Sequence, residues 1–194
     1  MKLPEYLRAW NQAMATAEKF SPHYSVALGE ARFLFDCACQ LRPLENIVEL
    51  GVCNGRTAAI LASAADVAEA FYFGVDNFSL ESSAEEIRGK FHANALRGTI
   101  VEGSTQEVGK EWKLPVSLLF IDAGHDEGNV RPDTEIWLPH VVPGGIVAWH
   151  DYGGTGERDS DAHWAVKFYA DAATAEWEEK GVVQGLFWAR KPVA

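Results

Sequence analysis

The runs FIDAGHDEGN, Phe120 to Asn129, and AWHDYGG, Ala148 to Gly154, each set an aspartate and a histidine just past a short apolar stretch. His125 stands three residues after Asp122, and His150 directly precedes Asp151. An imidazole titrates near neutrality and can take a proton from a hydroxyl; with carboxylates it can also hold a divalent cation. If the two apolar stretches are adjacent strands, the four side chains meet at one edge of a sheet. A further run, IVELGVCNGRTAAIL from Ile47 to Leu61, passes from apolar residues through Gly51 and Gly55 into alanines. Cys53 and Arg56 stand where a dinucleotide fingerprint has its second and third glycines, and GRT is not the Gly-Lys-Ser/Thr of a phosphate loop. What remains is Glu49-x-Gly51-x-x-x-Gly55, with Asp76 following in FYFGVDNF. Glycines let the chain pass close under a ligand, helix-start amides can receive a carboxylate, and the two acids can meet an ammonium and a ribose diol. That combination suits an amino acid joined to a nucleoside.

The elements that must position these residues follow from periodicity. Tyr6, Leu7, Trp10, Met14 and Ala17 recur at helical spacing, and a second helical stretch, Ser25 to Leu41, runs to the Arg42-Pro43 break. From there the apolar runs NIVEL, FYFGVD, GTIVEG, VSLLFID and GIVAWHD alternate with helical stretches, the pattern of a parallel sheet covered on both faces. The tail TAEWEEKGVVQGLFWARK reads as a strand, a connection around Gly181 and a second strand pairing antiparallel at the sheet edge. With no repeat, linker or low-complexity segment, the expectation is a single domain over residues 1–194.

Composition narrows the function. The chain has 194 residues, 47% of them hydrophobic, enough to bury a substantial core without disulfides or metals. A formal net charge of -11 argues against gathering phosphate backbones, so nucleic acid is not the expected partner and a small molecule is. No apolar run is long enough to cross a bilayer, and the first twenty residues are broken by charges, so the expected place is the cytoplasm, away from membranes. The three cysteines, Cys37, Cys39 and Cys53, form neither a metal nor a disulfide pattern.

The pieces VELGVCNGRT, FYFGVDNF, VEGSTQEV and SLLFIDAGHDEGNVRPDTEIWLPHVVPGGIVAWHDYG, in this order and spacing and with a closing strand pair, resemble class I S-adenosylmethionine-dependent methyltransferases from Glu45 to the end of the chain. The resemblance implies an α/β, Rossmann-like fold. Its sheet is doubly wound, seven-stranded and mostly parallel, in the order 3-2-1-4-5-7-6 with the last strand antiparallel; residues 1–43 supply N-terminal helices and 44–194 the core. It further implies S-adenosylmethionine as the cofactor, with Glu49 and Gly51 at its methionine part and Asn54, Gly55 and Thr57 near its carboxylate. Asp76 would then take the ribose hydroxyls, Ser104 would lie near the adenine, and Asp122 would also border the cofactor.

The His-Asp runs resemble small-molecule O-methyltransferases of the catechol and macrolide-sugar type, and the cephalosporin-hydroxylase-like group, with Ala123 in place of the usual glycine. The catalytic set this implies is His125, His150 and Asp151. In metal-dependent members the residues matching Asp122, His150 and Asp151 hold a divalent ion, magnesium or manganese, at the acceptor oxygens; an imidazole there suits manganese, iron or zinc better than magnesium. Without a metal, His125 or His150 is the general base. The loop Tyr152 to Asp161 would be a lid. Trp149 and Trp164 are candidates for an acceptor pocket as well as for core, while Arg131 and His23 are polar candidates with no spacing argument. With few insertions, either the small-molecule acceptor is modest in size or a second subunit of a homodimer completes its pocket. Two other classes compete with the methyltransferase: an idle S-adenosylmethionine-binding module, and an oxygenase or hydrolase with Asp122, His125 and His150 around one metal. A mere binder would not require the His125, His150 and Asp151 set.

Overall fold

The computed structural model describes residues 2–23, 26–80, 82–153 and 163–193. Helix α1 (Leu3–Phe20) carries a proline in its first turn, where no helical N–H is lost, and buries Trp10, Ala13, Ala17 and Phe20 along one face. Helix α2 (Leu28–Cys39) buries Ala31, Leu34, Phe35 and Ala38. It is shorter at both ends than the Ser25 to Leu41 stretch, and Ser25 lies outside the described residues. Both helices pack on α3 (Arg56–Ala68), whose Ala58, Ala59, Ala62 and Ala65 are buried and allow close approach.

The alternation continues as read from the sequence: β1 (Asn46–Leu50) precedes α3, and β2 (Phe71–Asp76), α4 (Ala84–Ala93), β3 (Thr99–Glu102) and α5 (Thr105–Glu111) follow it. Then come β4 (Val116–Ile121), α6 (Glu127–Trp137), β5 (Val141–Trp149), α7 (His163–Ala173), β6 (Lys180–Val183) and β7 (Leu186–Arg190). The strands form one sheet in the order β3-β2-β1-β4-β5-β7-β6. The β1, β2, β3, β4 and β5 pairings are parallel, and β7 runs antiparallel to both β5 and β6.

Side-chain alternation divides the core into two layers. Ile47, Leu118 and Phe120 join the layer under α1, α2, α3 and α4, whereas Val48, Leu50, Leu119 and Ile121 join the layer under α6 and α7. Among the described residues no helix is long and apolar enough to cross a membrane.

The tail departs from its sequence reading in register. Gly181 lies within β6, opposite Trp188, where a Cβ would come 3.1 Å from the indole nitrogen, so the glycine makes room for a ring. The turn falls instead at Gln184 and Gly185, with Gln184 at φ 56, as a two-residue hairpin connection requires.

Candidate functional site

The carboxyl ends of β1, β2, β4 and β5 supply the site. Asp122 N donates to Leu50 O at 2.8 Å, and Gly51 N donates to Val75 O at 2.9 Å, locking the first turn between its neighbours. Gly51 sits at φ +91, and a Cβ there would lie 2.2 Å from the carbonyl oxygen of Asp122, so no other residue fits without parting β1 from β4. Asp76, closing β2, receives the loop: Oδ2 accepts from the Val52 and Cys53 amides at 2.7 and 2.8 Å, and Oδ1 from the Phe78 amide at 2.6 Å. Gly55, at φ +80, starts α3 under Phe20 and Ile87. Asn54 Oδ1 accepts from the Arg56 amide at 3.1 Å, and Thr57 is buried.

A cavity of about 310 Å³ opens over these ends, at the lower edge of the roughly 300–1,000 Å³ usual for ligand sites. Of the residues expected at a cofactor, Gly51, Asp76, Ser104 and Asp122 line it. Asn54, Gly55 and Thr57 shape the helix start without lining it. Glu49 lies beneath, 1% exposed, accepting from the Tyr72 hydroxyl. Burial drives the Glu49 carboxyl well above its ordinary value, against the Tyr72 hydrogen bond. Asn77, Thr105, Gln106 and Asn129 also line the cavity and were not singled out in the sequence; the signal available for Thr105 and Gln106 was their place directly after Ser104.

At the β4 and β5 ends the two His-Asp runs come together. One ligating atom from each of Asp122, His125 and Asp151 lies within 4.8 Å of the others, an arrangement able to hold a metal ion. His125 Nε2 is 3.1 Å from Asp151 Oδ2 and 3.6 Å from Asp122 Oδ1. Asp151 adopts φ +58, a left-handed conformation that aspartate tolerates better than most residues.

His150 stands behind this group. Its Nδ1 is 3.0 Å from Asp122 Oδ1 and 3.3 Å from Asp151 Oδ2, and its Nε2 is 3.2 Å from Glu30 Oε2. Burial opposes a charge on this ring, yet the hydrogen bonds to Asp122 and Asp151 and their negative charges outweigh it and push the pKa up to about 11. With both ring nitrogens turned to carboxylates, His150 is engaged on two sides. The three converging side chains are Asp122, His125 and Asp151, while His150, which the sequence places with Asp122 and Asp151, contacts the same two carboxylates through Nδ1. His125 is raised as well, by a hydrogen bond to Asp122 and the nearby carboxylate charges, against its partial burial and the neighbouring His150.

Glu30 was missed. It sits on the apolar stripe of α2 with Leu34 and Ala38, and a charged residue on a buried helical face was the available signal. The remaining candidates lie apart from the cavity. Trp149 is fully buried with its Nε1 donating to Thr134 Oγ1 at 3.1 Å, Trp164 is half exposed against Phe168, His23 is exposed, and Arg131 pairs with Glu135 on the surface. Of the expected lid, Tyr152 stacks on Phe187 with ring centres 4.6 Å apart; residues 154–161 lie outside the described residues.

Residues 48–152 match the family model described as a methyltransferase domain. Solved structures share the architecture over nearly the whole chain. The SAH-bound methyltransferase PaMTH1 from Podospora anserina superposes with a TM-score of 0.73 at 14% identity, covering 95% of this chain and 88% of its own. The cofactor-bound Rv0187 from MTB gives 0.70 at 19% identity, covering 94% and 89%. The O-methyltransferase from Bacillus cereus in complex with SAH gives 0.67 at 18% identity, covering 95% and 91%.

Proposed function

The chain belongs to the methyltransferase-domain family, and from that premise we propose that it transfers the methyl group of S-adenosylmethionine to a hydroxyl oxygen of a small molecule, with a divalent cation at Asp122, His125 and Asp151. The observation that carries this reading is the convergence of those three side chains beside a cavity that Asp122 also lines.

The cavity residues suit the cofactor. Gly51 and Cys53 form a floor without bulk, and Asp76 has used three of a carboxylate's roughly four lone-pair sites on backbone amides, which leaves capacity for a ribose hydroxyl. Ser104, Thr105 and Gln106 flank the far end with hydroxyl and amide groups for a base. When bound, S-adenosylmethionine supplies a methyl group on a sulfonium, ready for attack by an oxygen in line with the carbon–sulfur bond. Asp122 touches both the cavity and the cluster, which sets the acceptor oxygen beside the methyl group.

One imidazole and two carboxylates form a mixed nitrogen–oxygen set suited to manganese and tolerable to magnesium, and unlike the two-histidine, one-carboxylate set of non-haem iron oxygenases. When bound, such a cation lowers the pKa of a coordinated hydroxyl and orients it. His125 is the outward member, its side chain 34% exposed against 10% for His150, so the acceptor meets the cluster from the His125 side. His150 keeps Asp122 and Asp151 in place from behind.

Calorimetric titration tests the reading. S-adenosylhomocysteine should bind the wild-type protein, and Mn²⁺ should bind that complex; Asp151→Asn should weaken Mn²⁺ by roughly 10-fold or more while leaving the nucleoside ligand unaffected. Uptake of neither ligand overturns the proposal. Equal Mn²⁺ affinity in Asp151→Asn places the cation elsewhere.

A further inference from the structure

Glu30, in the first turn of α2, gathers groups from three distant parts of the chain. It is 3% exposed. Its Oε2 accepts from the Ala27 amide at 2.6 Å and faces His150 Nε2 at 3.2 Å, while Oε1 accepts from the Gly185 amide at 2.7 Å. The Gly185 carbonyl in turn accepts from the amide of Tyr152 at 2.8 Å, the residue after Asp151. One buried side chain thus ties together the start of α2, the β6–β7 turn and the end of β5.

Capping a helix does not require this burial. Glu5 makes the same first-turn reach in α1, accepting from the Lys2 amide at 3.0 Å, and does so on the surface. A buried carboxylate is costly unless its oxygens are fully engaged, and here one of the groups engaged is the ring that touches Asp122 and Asp151. Without a partner at Nε2, the His150 ring could rotate about its side-chain bonds and release both carboxylates.

We propose that Glu30 is a positioning residue for methyl transfer: by holding Nε2 of His150 it fixes the ring so that Nδ1 meets Asp122 and Asp151, and so sets the spacing of the carboxylates that receive the cation. The N-terminal helices are on this account part of the reaction centre. The inference rests on the cation reading given above, although the ring geometry it invokes is present without an ion.

The test uses Glu30→Gln, His150→Gln and the double variant, with Mn²⁺ and S-adenosylhomocysteine as probes. In Glu30→Gln, S-adenosylhomocysteine affinity should stay within about 2-fold of wild type while Mn²⁺ affinity falls roughly 10- to 100-fold, the usual effect of losing a group that orients metal ligands. The imidazole N–H signal of His150, identified in ¹⁵N-edited NMR by its disappearance in His150→Gln, should be lost as well. In the His150→Gln background, Glu30→Gln should change Mn²⁺ affinity by less than about 2-fold, because effects that pass through one intermediary do not add. Equal losses in both backgrounds, an unchanged N–H signal, or loss of S-adenosylhomocysteine binding in Glu30→Gln would overturn the proposal. Wild-type protein that takes up no Mn²⁺ overturns the cation reading instead, and the N–H signal then decides the role of Glu30.

Discussion

The two histidines look alike in sequence and differ in what surrounds them. His150 has a carboxylate at each nitrogen, which raises its pKa, whereas His125 reaches Asp122 and Asp151 from the outer side with a third of its side chain exposed. On the proposed function, His125 must give up a proton before it can ligate a metal, and its carboxylate neighbours raise its pKa, so a cation would compete with the proton for it. Mn²⁺ binding near neutral pH should therefore release protons, and its affinity should climb as pH rises. Titrations in two buffers of different ionisation heat should report the release, which should vanish in His125→Ala together with at least the roughly 10- to 100-fold in affinity that loss of a metal ligand's supporting partner costs. Identical heats in both buffers would remove His125 from the ligand set. The placing of Asp76, Asp122 and Asp151 at strand ends was legible in the sequence, because Asp76 and Asp122 directly follow apolar runs and Asp151 stands one residue beyond another, the place where open α/β sheets gather ligands. The Glu30 contact of His150 was not, because its partner lies 120 residues away in the sequence.

Among the elements, the β1–α3 turn bears the tightest constraint. Gly51 and Gly153 both have left-handed φ, +91 and +92, so either substitution by alanine incurs backbone strain of roughly 1–2 kcal/mol. Of the two, only at Gly51 would the new Cβ strike fixed backbone, 2.2 Å from the Asp122 carbonyl; at Gly153 nothing among the described residues lies within 4 Å. Gly51→Ala should thus lower the melting temperature clearly more than Gly153→Ala and weaken S-adenosylhomocysteine and Mn²⁺ together, since it parts the ends of β1 and β4. Equal melting temperatures for the two variants would mean that the close approach is not maintained in solution. The strand–helix alternation that builds this turn was readable because strands buried on both faces are continuous apolar runs. The hairpin register was not: a glycine inside a strand and a glycine in a turn look the same in sequence, and it is the Trp188 indole that assigns Gly181 to the strand.

For the whole molecule, stability and pH are linked through buried groups on either side of the sheet. Asp133 is fully buried in α6, accepting from Thr105 Oγ1 at 2.6 Å, and burial pushes its pKa from 3.8 up to about 6 against that hydrogen bond. The folded state therefore holds this proton more tightly than the unfolded chain, a contribution that is full below about pH 4 and lost as pH rises through 6. At about 1.4 kcal/mol per unit the loss is on the order of 3 kcal/mol, so Asp133→Asn should gain stability relative to wild type between pH 4 and 7 in thermal unfolding. A constant difference across that range would contradict the shift. His150 has the same sign at higher pH: its contribution is full below 6.5 and lost as pH rises toward 11, so EDTA-treated wild type should lose stability above neutrality more steeply than His150→Gln. The strand order and strand–helix alternation, in an architecture shared over 94 to 95% of the chain with solved cofactor-bound and SAH-bound proteins, were legible, while the acceptor was not, because pocket shape depends on contacts that no local pattern encodes. Cation-assisted methyl transfer is tested by S-adenosylhomocysteine formation by the purified protein from S-adenosylmethionine and a panel of hydroxylated small molecules, run with EDTA and with Mn²⁺ or Mg²⁺ restored. Acceptor-dependent product that EDTA abolishes and the cation restores is the expected result; turnover indifferent to both would rule out cation-assisted methyl transfer.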